Sequence, residues 1–280
     1  MKNFILNADD FGRHELINKA VEIGAREGLL RSATIMPGGN AFIDAVSVAR
    51  RNFNLGVGIH FTLVNGNPIL PSSEIPSLVD SDGKFFDDYK IFTQRFFSGK
   101  INLTEVRREL CAQLEKVEHT GLKITHADSH QHMHTLPKII DIVIDLVKQS
   151  DIKAIRTPKT PLFASEFGGV GQLIGRIGLG ALAHLAAIKI KRAGLKTPDH
   201  FLGIVAGNAI TVSDMLDFAA KSQSGTTEIM LHPGTDNDIL IPATDWQHDF
   251  TAELAAVTDS KVLEKFKALN INAVNYEALY

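Results

Sequence analysis

The stretch LKITHADSH, residues 122–130, changes from apolar to polar along one face. Leu122 and Ile124 are followed at the same parity by His126, Asp128 and His130. Side chains two positions apart lie on the same face of a β-strand. The stretch therefore predicts a strand over residues 122–127 whose face ends in polar side chains at the strand's exit.

Four other apolar runs end in the same way, with an acid, a histidine or an arginine. In parallel α/β barrels the chemistry collects at the carboxyl ends of the strands. Each polar group taken alone also fits a solvated loop, a helix cap or an ordinary ion pair, and it is their recurrence that predicts an active site. The residues are Asp9 and Asp10 after the run 4–7, His60 in 55–61, Arg156 in 153–156 and His232 after 228–231.

Strand and helix patterns alternate along the chain. Repeated β-then-α order predicts a parallel sheet with right-handed crossovers. With about eight repeats and no compositional break, one TIM-barrel-like α/β domain over residues 1–280 is favoured over two small domains. Further strands are predicted at 31–36, 201–205 and 273–276, and helices near 14–28, 40–51, 104–119, 137–149, 168–193, 211–222 and 250–268.

The segment 65–103 departs from this alternation. It is rich in Pro, Gly, Asp and Phe and carries little strand pattern. Long insertions in compact domains are often lids or binding loops. We therefore predict a loop insertion here.

Composition argues against several classes of partner. The net charge of −3 gives no basic field that would attract nucleic acid or an anionic membrane. The first residues lack a signal-peptide pattern, and the most apolar later stretch, 177–188, is shorter than the roughly 20 residues that cross a bilayer. The single cysteine, Cys111, lies in a helical pattern. The sequence thus predicts a cytoplasmic protein with a buried Cys111, no nucleic-acid partner and no membrane insertion.

The residue types at the strand ends suit metal-assisted hydrolysis. Two imidazoles and one carboxylate form a ligand set for a divalent cation that keeps one position open. A structural zinc site would use several thiolates, and the chain has one cysteine. A second carboxylate can then act as general base, and a further histidine can protonate a leaving group.

Four motifs in order, NADDFG (7–12), GIHFTL (58–63), THADSHQHMH (125–134) and LHPG (231–234), together resemble the YdjC-like carbohydrate deacetylases. That family includes chitooligosaccharide (diacetylchitobiose) deacetylases and hopanoid-biosynthesis deacetylases. The resemblance extends to VDSDGKF (79–85) and TPDHFLGI (197–204). It implies a distorted (β/α) barrel of about seven to eight mostly parallel strands. It also implies hydrolysis of an N-acetyl group on an amino sugar or chitooligosaccharide, which releases acetate and a free amine.

The resemblance further implies a role for each motif residue. The cofactor would be a divalent metal ion, with Mg²⁺ favoured and Zn²⁺ or another divalent ion as the alternative, and the protein would be a homodimer. Gln131 stands where relatives often carry another histidine. The implied metal ligands are Asp10, His60 and His130, with Asp9 as general base, His232 as general acid, Arg156 orienting Asp9, and His126 and Asp128 either binding the metal or supporting its ligands.

Sugar faces stack on aromatic rings, so aromatic residues near the motifs are candidates for a substrate cleft. Trp246, flanked by polar residues in TDWQHDF, is the strongest of them. His132 and His134 are expected to contact substrate or to support the site. The other aromatic candidates are Phe11, Phe85, Phe86 and Tyr89.

Two rival functions remain open at this point. A metal-dependent phosphoesterase would invite more basic residues near the metal than Arg13 and Arg156. A non-catalytic sugar-binding relative would have lost a metal ligand or the paired acid, and neither is lost here.

Overall fold

Seven parallel strands form the centre of the described part of the protein. The structure, a computed structural model, describes residues 1–159, 170–203 and 209–280, and the side chains of the second range from residue 178 onward. The sheet order is β4-β3-β2-β1-β6-β5, and β7 pairs with the start of β1 beside β2. The strands are β1 Lys2–Phe11, β2 Ser32–Ile35, β3 Gly56–Phe61, β4 Ile124–Ser129, β5 His200–Leu202, β6 Gly225–Leu231 and β7 Ile271–Ala273.

The sheet curls into a half-barrel, and short bridges continue it on the far side. Ala127 of β4 pairs in parallel with Ile155, and Ala154 pairs in parallel with Lys196, which precedes β5. The predicted strand at 153–156 is therefore reduced to single-residue bridges, because each side meets its neighbour at one position only. This arrangement is the predicted distorted (β/α) barrel, and every strand pair in the sheet is parallel.

Helices flank the sheet, and most of them lie where the sequence predicts them. The capping box that begins the helix after Thr211 is present, with Asp214 closing it. None of the helices in the described part of the chain combines the length and apolar character that a bilayer crossing requires. The helices are α1 Glu15–Glu27, α2 Phe42–Arg51, α3 Tyr89–Phe97, α4 Leu103–Glu118, α5 Ile139–Gln149, α6 Val170–Arg192, α7 Val212–Ala220, α8 Asn237–Thr244, α9 Phe250–Thr258 and α10 Ser260–Ala268.

Several predicted boundaries were wrong. The helix expected at 250–268 is two helices, because Asp259 ends α9 with its backbone and begins α10 with its side chain, which accepts a hydrogen bond from the Lys261 backbone at 2.8 Å. The segment 65–103 is mostly irregular, as predicted, but contains α3, whose start is capped by Asp88. The helix α8 was missed because Pro242 lies inside it.

Other differences are smaller. The strand β4 starts two residues later than predicted and extends to Ser129, and β7 ends at Ala273, before a 3₁₀ turn that begins at Tyr276. Residues 204–205 of the predicted strand 201–205 and residues 168–169 of the predicted helix 168–193 lie outside the described residues. Cys111 is half-buried instead of buried, and its thiol donates to Glu115 at the outer edge of α4.

Successive side chains of β1 point alternately into the main core and into the inside of the barrel. Phe4, Leu6 and Ala8 belong to the main core between sheet and helices, where Phe4 meets Phe266 of α10 edge-on at 5.3 Å. Ile5 instead packs with Ala154 and Tyr276 in a separate small cluster inside the barrel. Because side chains alternate along a strand, Asn7 and Asp9 follow Ile5 on the inward face. The barrel interior therefore turns from apolar to polar along β1.

A single arginine lies at the centre of this polar interior. Arg156 is fully buried, and its two Nη atoms donate to the carboxylate of Asp9 at 2.6 and 2.7 Å. Its Nη1 also lies 2.6 Å from Asp128 Oδ2, and its Nε donates to Glu228 at 2.8 Å. The hydroxyl of Tyr276 donates to the other oxygen of Glu228 at 2.5 Å. One cation thus ties together carboxylates from β1, β4 and β6.

The charges in this cluster are unequal. Burial would raise the pKa of Asp9 and of Asp128, but the Arg156 guanidinium overrides it and holds both below their usual range. For Glu228 burial prevails over Arg156 and raises the pKa to about 7. Asp9 and Asp128 are therefore the carboxylates that Arg156 keeps ionised.

Replacing Arg156 tests how far the barrel depends on this cation. Arg156→Met removes the guanidinium that Asp9, Asp128 and Glu228 share, and breaking a buried ion pair costs about 3–5 kcal/mol. The free energy of unfolding, measured by urea denaturation, should fall by that amount. Arg107→Met is the matched control because it removes an exposed pair with Asp145, worth about 1 kcal/mol or less. Equal small losses in both variants would contradict this account.

Candidate metal centre and active site

Asp10, His60 and His130 converge at the carboxyl ends of β1, β3 and β4. One ligand atom from each of the three lies within 4.8 Å of the others. Asp10 Oδ1 is 2.9 Å from His130 Nδ1 and 3.4 Å from His60 Nε2. All three residues are buried. The structure therefore brings these three predicted residues together.

Three side-chain atoms of this cluster have no hydrogen-bond partner. Asp10 Oδ1, His60 Nε2 and His130 Nε2 are buried and make no hydrogen bond. Buried polar atoms without partners are costly, so they are rare in folded proteins. A cation between the carboxylate and the imidazoles would satisfy their lone pairs. The residues present thus fit a divalent metal ion, with one carboxylate oxygen and two imidazoles as ligands.

The backbone conformation at Asp10 explains how the side chains of two adjacent aspartates point to different partners. We expected the strand to end before Asp10, but β1 continues to Phe11. Asp10 instead adopts a left-handed conformation with φ of 60°, and the pairing with β2 shifts register between Ala8 and Phe11. Asp9 keeps the inward direction towards Arg156, while Asp10 faces the histidines. Such conformations are strained for residues other than glycine, and they cluster at functional sites.

Arg13 holds the far side of Asp10. Its Nη1 donates to Asp10 Oδ2 at 2.9 Å, which leaves Oδ1 facing His60 and His130. Its Nη2 donates to Asn65 Oδ1 at 2.5 Å and to the carbonyl of Thr244 at 3.2 Å. Burial would raise the pKa of Asp10, but the charges of His130 and Arg13 lower it well below its usual value. Asp10 is therefore an oriented carboxylate, linked through Arg13 to the segment 65–103 and to α8.

Asp128 orients His60. Its Oδ1 lies 2.6 Å from His60 Nδ1, which directs Nε2 of the same ring towards Asp10. A carboxylate on the second nitrogen is the usual partner of a metal-binding histidine. Asp9, His60 and Asp128 also lie close enough to hold an ion, but the Arg156 guanidinium already forms ion pairs with both carboxylates. Asp128 therefore positions the ring of His60; support of a metal ligand was one of its two predicted roles and stays a prediction.

His126 lies apart from the cluster of Asp10, His60 and His130. Its ring stacks on Tyr276 with centroids 3.6 Å apart, and its Nδ1 lies 2.9 Å from the Thr125 hydroxyl. Gly58 faces the same ring so closely that a Cβ there would lie 2.4 Å from it. Burial lowers the pKa of His126 to about 3. The glycine at 58 thus makes room for a neutral histidine that packs inside the barrel and is not in any of the metal-binding groups found among the described residues.

His132 and His134 follow His130 in a turn with unusual backbone geometry. Gln131 and His132 both have positive φ, at 50° and 60°. His134 Nδ1 contacts the Ser129 hydroxyl at 2.6 Å and its Nε2 lies 3.1 Å from the Arg156 carbonyl, so both ring nitrogens already have protein partners. His134 therefore supports the turn and leaves no ring nitrogen for substrate. His132 is buried, with Nδ1 unpartnered.

His232 lies at the end of β6 against an aromatic cluster. Its ring meets Trp246 edge-on at 4.9 Å and His248 edge-on at 5.6 Å, and Trp246 stacks on His248 at 4.0 Å. The backbone N–H of His232 donates to Glu253. Burial lowers the pKa of the His232 ring, and the charges of Asp9 and Asp10 oppose that shift. The ring is thus within electrostatic reach of both aspartates.

Two neighbours of His232 were missed in the sequence. His248 lies in the same TDWQHDF segment as Trp246, and Glu253 is a buried acid in α9. The available signal was an acid at an inward position of a helix that is otherwise apolar, since Phe250, Ala256 and Val257 of α9 are buried as well.

Two of the predicted sugar-binding aromatics are corrected by the structure. Phe11 and Phe85 are both 0% exposed and belong to the main core, so neither ring offers a face to a sugar. Phe86 is half-buried beneath the guanidinium of Arg95. Tyr89 is exposed on α3, and Trp246 is half-buried beside His232. Trp246 is therefore the aromatic candidate that adjoins the site.

Comparisons with known proteins agree with this arrangement. The family model described as YdjC-like protein matches residues 3–268. A carbohydrate deacetylase of Thermoanaerobacter pseudethanolicus is 30% identical over the full length of both chains, and one of Brevibacillus brevis is 30% identical over 98% of each. A solved structure from Enterococcus faecalis V583, named for cellobiose-phosphate cleavage, superimposes with a TM-score of 0.78 at 27% identity and covers 99% of this chain and 98% of its own. The chain belongs to the YdjC-like protein family.

Proposed function

We propose that the protein is a metal-dependent carbohydrate deacetylase that removes the N-acetyl group from an amino sugar or chitooligosaccharide. The observation that carries the proposal is the convergence of Asp10, His60 and His130, in which the unpartnered atoms Asp10 Oδ1 and His60 Nε2 lie 3.4 Å apart, near Asp9 and His232. Full-length relatives named carbohydrate deacetylase support the substrate class. The finer assignments of Mg²⁺, a cytoplasmic location and a homodimer stay predictions.

Asp10, His60 and His130 would hold the divalent ion. When bound, the ion would polarise the acetyl carbonyl and make a water molecule more acidic. Arg13 and Asp128 keep two of these ligands in position by occupying Asp10 Oδ2 and His60 Nδ1. The site therefore needs little rearrangement to bind a cation.

Asp9 is suited to accept the proton of the attacking water. Its carboxylate is ionised and fixed by the two Nη atoms of Arg156 and by the side-chain amide of Asn7 at 2.8 Å. As the water oxygen bonds to the acetyl carbon, its proton passes to Asp9 and the carbonyl oxygen gains negative charge. Arg156, tied to Asp128 and Glu228 as well, is the group that orients Asp9.

His232 is suited to protonate the departing nitrogen. An amine leaves poorly as an anion, so breaking the carbon–nitrogen bond requires a proton on nitrogen. The charges of Asp9 and Asp10 favour the protonated form of His232, against the effect of burial. Its position beside the half-buried Trp246 would place an aromatic ring near the acid for contact with the sugar.

The phosphoesterase alternative has weaker support from the site. Arg13 and Arg156, which contact carboxylates of the site, are both engaged, Arg13 by Asp10 and Arg156 by Asp9, Asp128 and Glu228. A phosphate would have to displace one of these carboxylates from its partner. The acetamide of an amino sugar carries no charge and makes no such demand.

Acetate release from a panel of N-acetylated sugars tests the proposed function. The purified chain should release acetate from N-acetylglucosamine oligomers, lose the activity after chelation and regain it when Mg²⁺, Mn²⁺, Co²⁺ or Zn²⁺ is added back, because the catalytic water depends on the ion. Phosphate release from generic phosphate esters is the parallel assay. Phosphate release without acetate release would replace the deacetylase by the alternative.

The variant His232→Gln tests the general acid. Loss of proton transfer to the leaving group should lower kcat about 10²- to 10⁴-fold, while KM and bound metal change little. The matched control is His184→Gln, which alters an exposed histidine on α6. Steady-state kinetics and elemental analysis of both variants give the readout, and turnover as fast as in the wild type would remove the assignment.

A further inference from the structure

We propose that His232, His248 and Glu253 form a second metal site, selective for zinc, and that zinc bound there inhibits the enzyme. The site adjoins the Asp10 cluster but shares no residue with it. Zinc binding is independent of the proposed function, whereas the inhibition rests on it, through the acid role of His232.

The three side chains are close enough to share one ion. A ring nitrogen of each histidine and a carboxylate oxygen of Glu253 all lie within 4.8 Å of one another. His248 Nε2 is 3.4 Å from Glu253 Oε1. The side chains of His248 and Glu253 are 4% and 3% exposed, while His232 is half-buried. The cluster is thus closed on the protein side and open beside His232, where water could complete the coordination.

The unpartnered nitrogen of His248 points to a ligand. His248 Nε2 is buried, faces Glu253 and makes no hydrogen bond. A buried group that loses its water without gaining a partner costs about 1–3 kcal/mol. A cation between His248 and Glu253 would remove that cost, because it accepts a lone pair from each.

The ligands are held in place before any ion binds. Glu253 accepts the backbone N–H groups of Ile210, at 3.0 Å, and of His232, and each carboxylate oxygen has a further lone pair to offer. The ring of His248 is fixed by the stack on Trp246 and by an edge contact with Phe250 at 4.9 Å. Such order lowers the entropy lost on binding.

The donor set favours zinc. Two histidines and one glutamate with an open fourth position are a known zinc ligand set, and imidazoles select zinc over magnesium. A zinc ion here would take the lone pair of His232 that must carry a proton in the deacetylation. Deacetylase activity should therefore fall when zinc is supplied beyond the first site.

Zinc content and activity test the proposal together. Metal-free wild type dialysed against excess zinc should retain two ions per chain by elemental analysis, one from each cluster, and His248→Gln should retain one. Zinc added to enzyme reactivated with Mg²⁺ should inhibit the wild type and leave the residual activity of His248→Gln much less affected. His184→Gln, on the exposed face of α6, should behave as the wild type.

A measurement on the wild type alone tests the proposal even if His248→Gln does not fold. Crystals of the wild type soaked in zinc should show an anomalous difference peak between His232, His248 and Glu253. Equal zinc counts in the wild type and in a folded His248→Gln, or no peak between His232, His248 and Glu253, would each overturn the proposal. Failure of the proposed function would instead abolish acetate release and leave the difference of one zinc ion between the two chains.

Discussion

The pairing of Arg156 with three carboxylates is the interaction on which the rest of the site depends. Asp9, Asp128 and Glu228 come from three different strands and meet this one buried guanidinium. Without it, the inward faces of these strands would bring like charges together in a medium that screens them poorly. Asp128 also contacts His60 and thereby positions that ring beside Asp10 and His130. The contacts that balance the charges inside the barrel thus also position a residue of the candidate site.

The division between Asp9 and Asp10 is the second constraint. Two adjacent residues in a regular strand point to opposite faces, and the left-handed turn at Asp10 redirects the second without moving the first. Asp9 remains on Arg156, and Asp10 meets His60 and His130. Asp9, which is held by an arginine, is thus suited to proton transfer, and Asp10, which faces imidazoles, is suited to metal binding.

Much of this arrangement could be predicted from the sequence because it follows from strand ends. The face change in LKITHADSH and the motifs at residues 7–12, 58–63 and 231–234 mark the exits of parallel strands, so a barrel with polar side chains gathered at one end follows. The choice of Asp10, His60 and His130 among those side chains came from the family resemblance, and the structure brings the three together. What could not be predicted depends on tertiary packing. The burial of Phe11 and Phe85 and the pairing of His126 with Tyr276 each involve a partner distant in sequence or the surrounding core. No local pattern encodes such contacts.

The binding of Mn²⁺ to the metal-free chain tests the central claim most directly. Loss of the paramagnetic resonance signal of the free ion reports binding. The wild type and Asp238→Asn, which alters an exposed acid at the start of α8, should bind the ion with the same affinity. Asp10→Asn, folded by circular dichroism, should bind it at least about 100-fold more weakly, since even a supporting partner of a ligand is worth about 10- to 100-fold. Undiminished binding in Asp10→Asn, or none in the wild type, would contradict a metal centre at Asp10, His60 and His130.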